Sequence, residues 1–373
     1  MLDRRKFVAA SLSGAALASF VPAAAWGAAD TEKRFVFLIQ RGAADGLATL
    51  APTGDPDFLR ARGGMATEAL AGNKLDSFFT LHANMPEAAK LFAQRQASFV
   101  HAVASGYRER SHFDGQNILE SGGNRPYARK DGWMNRLLTL LPEGRTKAIA
   151  VAPSVPLALR GAVPVSSYEQ SRLAAPKEDL MRRVEMLYAE DPQLATLWED
   201  AIRTDMMAGK PKGPQRGGAA AGKMAAGLMR GGDGARVLML ESAGWDTHSA
   251  QRGRLGGRLK QLDAFIAALH TELGAHWKNT LLIVATEFGR TVAFNGTQGT
   301  DHGTASAAMM FGGGLNRPGK VRADWPGLAA PRLLDGRDLA PTARFEDMVA
   351  GALAHHYRLE RARVRRTLFP DFT

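Results

Sequence analysis

The chain alternates short apolar segments with longer segments in which apolar residues recur at helical spacing. Leucine and isoleucine recur every three or four residues from Leu255 to Leu269, which predicts an amphipathic helix. Near-continuous apolar strands separated by helices are typical of a mostly parallel sheet covered on both faces. We therefore predict an α/β fold, a three-layer sandwich with helices on both faces of a central sheet. Six apolar runs predict its strands: residues 34–39, 97–103, 147–151, 236–240, 279–285 and 307–311.

One internal stretch, residues 209–234, is strongly biased towards Gly, Ala and Lys. Its first half predicts a loop, and residues 219–229 predict a helix of small residues. A domain boundary at this stretch is one interpretation. Because predicted strands continue on both sides, we favour an excursion within a single α/β domain that spans residues 30–373.

The first residues are typical of an export signal. Adjacent Arg4 and Arg5 precede a weakly apolar segment, residues 9–25, which ends in small residues suited to a signal peptidase. The serines, the glycine and Pro22 in this segment disfavour a stable transmembrane helix. Residues 1–28 thus predict a twin-arginine signal peptide, the twin-arginine export machinery as a partner, and a periplasmic or secreted location.

The amino-acid composition limits which side chains could bind a metal and which partners the protein could have. The chain of 373 residues has no cysteine, so metal ligands must come from His, Asp, Glu or hydroxyl groups. The formal net charge of +11 favours anionic partners. The basic residues are scattered apart from Arg182-Arg183 and a cluster at residues 361–366, and neither group has a nucleic-acid-binding signature. We expect no specific nucleic acid partner.

Chemically versatile side chains follow the predicted strands. Each has an ordinary structural interpretation: Asp45 as a turn residue, Ser111 as a helix N-cap, Glu287 with Arg290 as an ion pair. Ligands of open α/β sheets bind beyond the carboxyl ends of the strands, so the shared placement favours one site. Oxygen and imidazole ligands with an arginine suit a divalent metal acting on an oxyanion. The candidates are Asp45, Ser111, His112, Glu241, Asp246, His248, Glu287, Arg290 and His302.

The order of these motifs resembles an exported family known as domain of unknown function 1501. That family is related to the alkaline phosphatase and sulfatase superfamily. The similarity runs from about residue 34 nearly to the C-terminus. It is carried by Arg41-Gly42-Ala43-Ala44-Asp45-Gly46, Arg110-Ser111-His112-Phe113, Asp131-Gly132-Trp133, Gly244-Trp245-Asp246-Thr247-His248, Thr286-Glu287-Phe288-Gly289-Arg290 and Asp301-His302-Gly303.

The resemblance implies two metal positions and a nucleophile. Ser111, at a helix N-terminus, matches the superfamily's nucleophile and would share one metal with Asp45 and Glu287. The residues implied for the second metal are Asp246, His248 and His302. Glu241, in turn, lies where phosphatases place a third, magnesium-binding carboxylate.

The chain departs from the superfamily pattern after the fifth predicted strand. Relatives place Asp-His there, whereas this chain has Glu287-Phe288. Because phenylalanine cannot bind a metal, the site at Asp45, Ser111 and Glu287 has only oxygen ligands, which favour Mg, Mn or Ca over Zn. The spacing Asp246-x-His248 is also shorter than usual. One-metal and two-metal arrangements both stay open, with Zn, Mg, Mn or Ca as the ion.

These expectations lead to one enzymatic hypothesis and one rival. The chain would be a metal-dependent hydrolase of small anionic esters of phosphate or sulfate, with Ser111 attacking the central atom. His112 would act as acid or base or bind the anion, and Arg290 or Arg110 would clamp oxygens of the substrate. The rival is a non-catalytic periplasmic protein that binds a metal or anion, or assists assembly, on the same fold.

Overall fold

A computed structural model describes residues 32–142, 147–169, 178–209 and 217–372. The predicted twin-arginine signal at residues 1–28 lies outside the described residues, as does part of the Gly/Ala/Lys-rich excursion, residues 210–216. Of that excursion, the helix predicted at residues 219–229 is present as Gly218–Met229. Among the described helices, none is both long enough and apolar enough to cross a membrane.

All six predicted strands are present. They belong to one sheet, which also includes short strands at its edges, and a second, small sheet has three strands. The strands are β1 Arg34–Arg41, β2 Leu50–Ala51, β3 Asn73–Lys74, β4 Thr80–Leu81, β5 Ala97–Ala104, β6 Ala148–Val151, β7 Ser166–Tyr168, β8 Val237–Ala243, β9 Thr280–Ala285, β10 Ser306–Gly312, β11 Val321–Arg322 and β12 Ala343–Arg344.

In the described residues the main sheet has nine strands, in the order β11-β5-β10-β9-β1-β8-β6-β7, with β12 also paired to β5. Strand β1 lies at the centre, parallel to β8 and β9, with Phe37 opposite Met239 and Ile283. Strand β10 is antiparallel to both of its neighbours. The mostly parallel α/β sheet is confirmed, and β10 is its reversed member.

Helices cover both faces of the sheet, as predicted. The helix expected around residues 255–269 is present and longer, and it packs on Gly218–Met229. The described helices are α1 Gly46–Thr49, α2 Phe58–Arg62, α3 Ala66–Leu70, α4 Pro86–Ala93, α5 His112–Ser121, α6 Trp133–Leu138, α7 Glu178–Tyr188, α8 Pro192–Ala208, α9 Gly218–Met229, α10 Gln251–Leu273, α11 Phe345–Tyr357 and α12 Arg361–Leu368.

Alternation along β1 explains the three layers. Successive side chains of a strand point to opposite faces, so Val36 and Leu38 enter one apolar core while Phe35, Phe37 and Ile39 enter the other. The first core lies under α4, α9 and α10, and the second lies under α6, α11 and α12. Burial of both faces makes the central strands rigid supports for the loops at their ends.

Candidate metal centre

The loops at one edge of the sheet carry the predicted site residues. Parallel strands β1, β8 and β9 all end at this edge, so Asp246, after β8, and Glu287, after β9, lie on either side of the loop that follows β1. His302 precedes β10, and because β10 runs in the opposite direction, its beginning lies at the same edge. His112, the first residue of α5, completes the group.

Three of these side chains converge: His112, Asp246 and His302. One ligand atom of each lies within 4.8 Å of the other two. His112 Nε2 is 3.5 Å from Asp246 Oδ2, and His302 Nε2 is 3.4 Å from Asp246 Oδ1. In a tetrahedral zinc site with bonds of about 2.0–2.1 Å, neighbouring donor atoms lie about 3.3 Å apart. The two histidine–aspartate separations are close to this spacing, with the histidines facing different oxygens of the Asp246 carboxylate.

Both imidazoles are oriented through the ring nitrogen that points away from the cluster. His112 Nδ1 lies 2.9 Å from Glu287 Oε1, and His302 Nδ1 lies 2.8 Å from the carbonyl oxygen of Arg110. Because an ionised carboxylate and a carbonyl only accept hydrogen bonds, each Nδ1 holds a proton, and Nε2 is the nitrogen that can offer a lone pair to an ion. His112 Nε2 is buried and has no hydrogen-bond partner among the described residues. Such oriented imidazoles are typical of metal ligands.

His248 adds a fourth donor beside the cluster. Its Nδ1 is 3.0 Å from Asp301 Oδ1, while its Nε2 is 3.0 Å from both Asp246 Oδ1 and His302 Nε2. Two neutral imidazoles would direct lone pairs at each other at this separation. A hydrogen bond between the two Nε2 atoms needs a proton on one of them, and a cation bound between the rings would relieve the same repulsion.

Asp246 is held in place by the buried Arg290. The guanidinium donates through Nη1 to Asp246 Oδ1 at 2.6 Å, and its Nε and Nη2 donate to the hydroxyl and carbonyl of Thr300. Partial burial alone would raise the pKa of Asp246, but the hydrogen bond and charge of Arg290, together with His248 and His112, more than offset this and lower it. Asp246 is therefore an ionised carboxylate, and Arg290 is committed to positioning it rather than free to clamp a substrate.

The two converging histidines have opposite pKa shifts. The hydrogen bond to Glu287 raises the pKa of His112, in spite of its partial burial. Burial, followed by repulsion from His112, lowers the pKa of His302. Two imidazoles whose rings lie 4.3 Å apart cannot both be protonated without strong repulsion.

Glu287 is fully buried and acts as an acceptor for groups around it. Its Oε1 accepts from the Gly42 amide, from Gln116 Nε2 and from His112 Nδ1, while Oε2 accepts from the Thr286 hydroxyl. These bonds offset the cost of burial and keep the pKa of Glu287 below its ordinary value. The structure shows Glu287 orienting His112.

Phe288, at the position where the resemblance leads one to expect a histidine, packs against the same two imidazoles. Its ring stacks on His112 at 5.1 Å between centroids and packs on His302 at 5.2 Å. The phenylalanine cannot bind a metal, but its ring limits the rotation of the two imidazoles, which can.

Asp45 has a different environment from the one expected of a ligand. Arg62 Nη2 lies 2.5 and 2.6 Å from its two carboxylate oxygens, and Gln251 Nε2 donates to Oδ2 at 2.6 Å. Asp45 also caps α1 through the amide of Ala48. Burial would raise the pKa of Asp45, but the charge of Arg62 and the hydrogen bonds from Arg62, Gln251 and Ala48 together hold it below its ordinary value. A metal at Asp45 would have to displace a guanidinium.

Glu241 and Ser111 also differ from the simplest expectation. Glu241 receives Arg41 Nη2 at 2.5 Å, and the same guanidinium group binds Glu120. Ser111 is the N-cap residue of α5, as its structural interpretation predicts, but its hydroxyl makes no capping hydrogen bond. The Ser111 amide donates instead to the hydroxyl of Tyr107 at 3.1 Å. Ser111 directly precedes His112, one of the three converging residues.

Backbone geometry at two positions brings the loops close together. Gly42 has a φ of +115°, and a Cβ built on it would lie 2.5 Å from the Asp246 amide nitrogen. Only glycine lets the end of β1 approach the Asp246 loop this closely. Arg110 has a φ of 61°, in the left-handed region, and this residue presents its carbonyl to His302. Strain of this kind is common at functional sites.

Several residues of the site were not identified from the sequence as functional. Asp301 orients His248 and itself accepts from Asn295 Nδ2 at 3.0 Å. Arg62 and Gln251 hold Asp45, and no local pattern distinguishes them from other surface-helix residues. Asp301 does carry a signal, since it adjoins His302 in the Asp-His-Gly motif.

A cleft of about 440 Å³ opens beside the cluster. Asp301 and Arg337 lie on its polar side, and Val292, Phe294 and Leu333 lie on its apolar side. Arg337 also donates to the carbonyl oxygen of His302. The cleft therefore offers space for a partly apolar group beside Asp301, which contacts His248, and beside the backbone of His302.

Comparison with solved structures found chains of low identity. The chain is similar to Ps i-CgsB, at 12% identity over 91% of this chain and 76% of that one, with a TM-score of 0.43. It is similar to an alkaline phosphatase superfamily protein from Vibrio parahaemolyticus, at 11% identity over 87% and 72%, with a TM-score of 0.41. The C-terminal periplasmic domain of EcEptC from Escherichia coli, in complex with Zn, is 10% identical over 76% and 74%, with a TM-score of 0.41.

Comparison with curated proteins gave no match. One family profile, described as a protein of unknown function (DUF1501), matches residues 32–368. That match covers most of the sequence and every motif from which the resemblance was drawn. The chain belongs to the DUF1501 family.

Proposed function

We propose that this protein is an exported, metal-dependent hydrolase of phosphate or sulfate esters. One observation carries the proposal. His112, Asp246 and His302 direct three ligand atoms at one point, and each histidine is held by an acceptor on its far side. Three protein ligands leave a coordination position for substrate, as catalytic zinc sites do. The N-terminal arginine pair supports export.

Imidazole nitrogen with carboxylate oxygen suits Zn or Mn, and imidazole is not a preferred ligand of Mg or Ca. A bound ion would polarise the ester and stabilise the charge that develops on its oxygens. The proposed site holds one ion. Asp45, Glu241 and Glu287 are left out of it because each already has arginine or hydrogen-bond partners.

Ser111 is the proposed nucleophile. Its hydroxyl lies at the N-terminus of the ten-residue helix α5, whose free amides favour an anion at that position. Its Oγ would form a bond to phosphorus or sulfur while the bond to the leaving oxygen breaks, and its proton would pass to solvent. Water would then attack the serine ester, release the acid and regenerate the hydroxyl.

His248 is the proposed general acid. It is about half exposed, so a leaving group can reach it, and Asp301 holds its Nδ1–H so that Nε2 faces the cluster. A proton on Nε2 would go to the leaving oxygen in the first step and return from water in the second. The neighbouring cleft would hold the organic part of the ester.

The test uses purified mature protein with Zn, Mn, Mg or Ca supplied in turn, and nitrophenyl phosphate and nitrophenyl sulfate as substrates. We expect hydrolysis that depends on Zn or Mn, and a loss of at least about 100-fold in S111A with unchanged metal content. Absence of hydrolysis with every ion would contradict the enzymatic proposal. Full activity in S111A would contradict the nucleophile alone.

The second candidate is a structural metal site in a non-catalytic binding protein. One observation favours it: His248 Nε2 lies 3.0 Å from both Asp246 and His302, so four protein ligands would close a tetrahedral site. The variant H248A separates the two candidates. An acid role predicts retained metal and lost turnover, whereas a fourth ligand predicts lost metal.

A further inference from the structure

A second polar cavity lies at the opposite edge of the sheet from the candidate metal centre. It holds about 170 Å³ and is lined near the start of β9 by Leu281 and, beyond the end of β10, by Gly314 and Arg317. Because β10 is antiparallel, its end lies at the edge where the parallel strands begin. This cavity therefore shares no residue with the proposed catalytic site.

Three arginines from separate elements line the cavity. Arg317 follows β10, Arg322 is the second residue of β11, and Arg361 begins α12. Arg361 belongs to the cluster of basic residues at 361–366 that was noted in the sequence. Their convergence cannot be an incidental run of basic residues, because long stretches of chain separate Arg361 from the other two.

The positive charge in the cavity is not neutralised by the described residues that line it. Asp347 is the single carboxylate among them, and Arg365 Nε already binds its Oδ1 at 2.6 Å. Arg365 does not line the cavity. Three guanidinium groups therefore face one space with one shared negative charge.

Arg322 shows the consequence most clearly. Its Nε is buried and has no hydrogen-bond partner among the described residues, and its Nη2 lies 3.9 Å from the sulfur of Met310, a weak acceptor. Burial, followed by repulsion from Arg317 and Arg361, lowers the pKa of Arg322. A buried guanidinium donor without an acceptor is costly, so the geometry calls for an anionic oxygen at this position.

We propose that this cavity binds a tetrahedral oxyanion, phosphate or sulfate, through Arg317, Arg322 and Arg361. Guanidinium groups match the oxygens of such anions in paired, charge-assisted hydrogen bonds. A dianion would leave the cavity close to neutral. Gly351, in the middle of α11, keeps one wall of the cavity free of a side chain and lies against the guanidinium of Arg361.

Calorimetric titration of the full protein tests the site. The protein is first freed of metal with a chelator, then titrated with inorganic phosphate and sulfate in 150 mM chloride, with glycerol phosphate as a separate arm. We expect saturable 1:1 binding, weakened at least about tenfold in R322M and in R361A. The matched control is R366A, on the same helix, where the side chain is exposed and outside the cavity. It should bind as the wild type does.

The outcomes are distinguishable. Absence of saturable binding, or wild-type affinity in both R322M and R361A, would overturn the proposal. Because Arg361 is exposed, R361A should remain folded, and its melting temperature verifies this. Glycerol phosphate binding as well as phosphate would indicate a phosphoryl group of a larger molecule as the ligand, whereas phosphate alone would indicate the free anion. Binding retained in the D246A background would separate this site from the proposed catalytic one.

Discussion

Two aspartates at the ends of neighbouring strands have opposite environments. Asp45 follows β1 and is fully buried against Arg62, whereas Asp246 follows β8 and is 42% exposed among imidazole rings. Asp45 already has a cation on both of its oxygens. Asp246 has one arginine contact and three histidine nitrogens near its oxygens. A position after a strand therefore does not by itself make a carboxylate available to an ion, because the groups already bound to its oxygens decide whether an ion can reach them.

The two aspartates are nevertheless linked. Gln251 donates to Asp45 and accepts from the hydroxyl of Thr300 at 2.6 Å, and Arg290 donates to that hydroxyl while it holds Asp246. A buried network whose members all have partners restrains each of them. We infer that the Asp45 pair supports the position of the Asp246 loop without itself binding an ion.

The largest effect is expected from breaking the Asp45 pair. The variant R62A would leave a buried carboxylate without its cation, and we expect a loss of about 3–5 kcal/mol in the free energy of unfolding. The measurement is chemical denaturation of metal-free protein. The control R60A removes an exposed arginine from the same helix and should cost no more than about 0.5 kcal/mol.

R62A also tests the comparison directly. Folded R62A, prepared at low temperature, should bind one equivalent of metal as the wild type does. If metal binding were lost at a concentration where R62A is still folded, or if the variant bound a second ion at the freed Asp45, then Asp45 would be part of a metal site.

The second effect concerns the cluster itself. Removal of one proposed ligand in H302A should weaken Zn or Mn binding by more than about 100-fold. Changing a group that only orients a ligand usually weakens metal binding by about 10–100-fold, and loss of the ligand itself should exceed that. Metal content after dialysis and competition with a chromophoric chelator measure it. The control H355A removes an exposed histidine at the end of α11 and should change nothing. Wild-type affinity in H302A would exclude His302 as a ligand.

Much of the fold, and the edge of the sheet at which the candidate residues gather, follow from the sequence pattern. The six apolar runs predict the strands because a buried strand needs apolar residues on both faces. Asp246, His248 and His302 are found together because they flank strands that share an edge. The roles are harder to predict. Arg62 lies only seventeen residues from Asp45, yet nothing in its neighbourhood shows that it folds back onto that carboxylate. The reversal of β10, which brings His302 to the site, also depends on long-range pairing.

The third effect separates orientation from coordination. In E287Q the side chain keeps its shape, and the amide oxygen can still accept from His112, but the negative charge that makes this imidazole a strong ligand is gone. We expect metal affinity to fall by about 10–100-fold with little change in stability. The control E241Q changes a carboxylate at the same edge that is bound by Arg41, and its metal affinity should match the wild type. Reduced affinity in E241Q would return Glu241 to the set of ligands.

The smallest effect concerns His101, which is buried beside the Asp45 pair. Its Nε2 donates to the carbonyl of Leu50 at 2.9 Å and its Nδ1 accepts from the Ala102 amide, so a second proton has no acceptor. Burial lowers the pKa of His101 to about 4. Because this value lies below that of an unfolded histidine, about 6.5, the neutral ring stabilises the protein above pH 6.5 and the contribution is lost as the pH falls towards 4.

Between pH 7 and pH 5.5 this amounts to about 1 kcal/mol, measured as the difference between the stability profiles of the wild type and H101Q. An NMR titration of the ring gives a second readout that does not depend on the variant. Protonation of His101 in the folded protein near pH 6.5 would show that water reaches the Asp45 side of the network. The contrast between a water-excluded Asp45 and an accessible Asp246 would then be wrong.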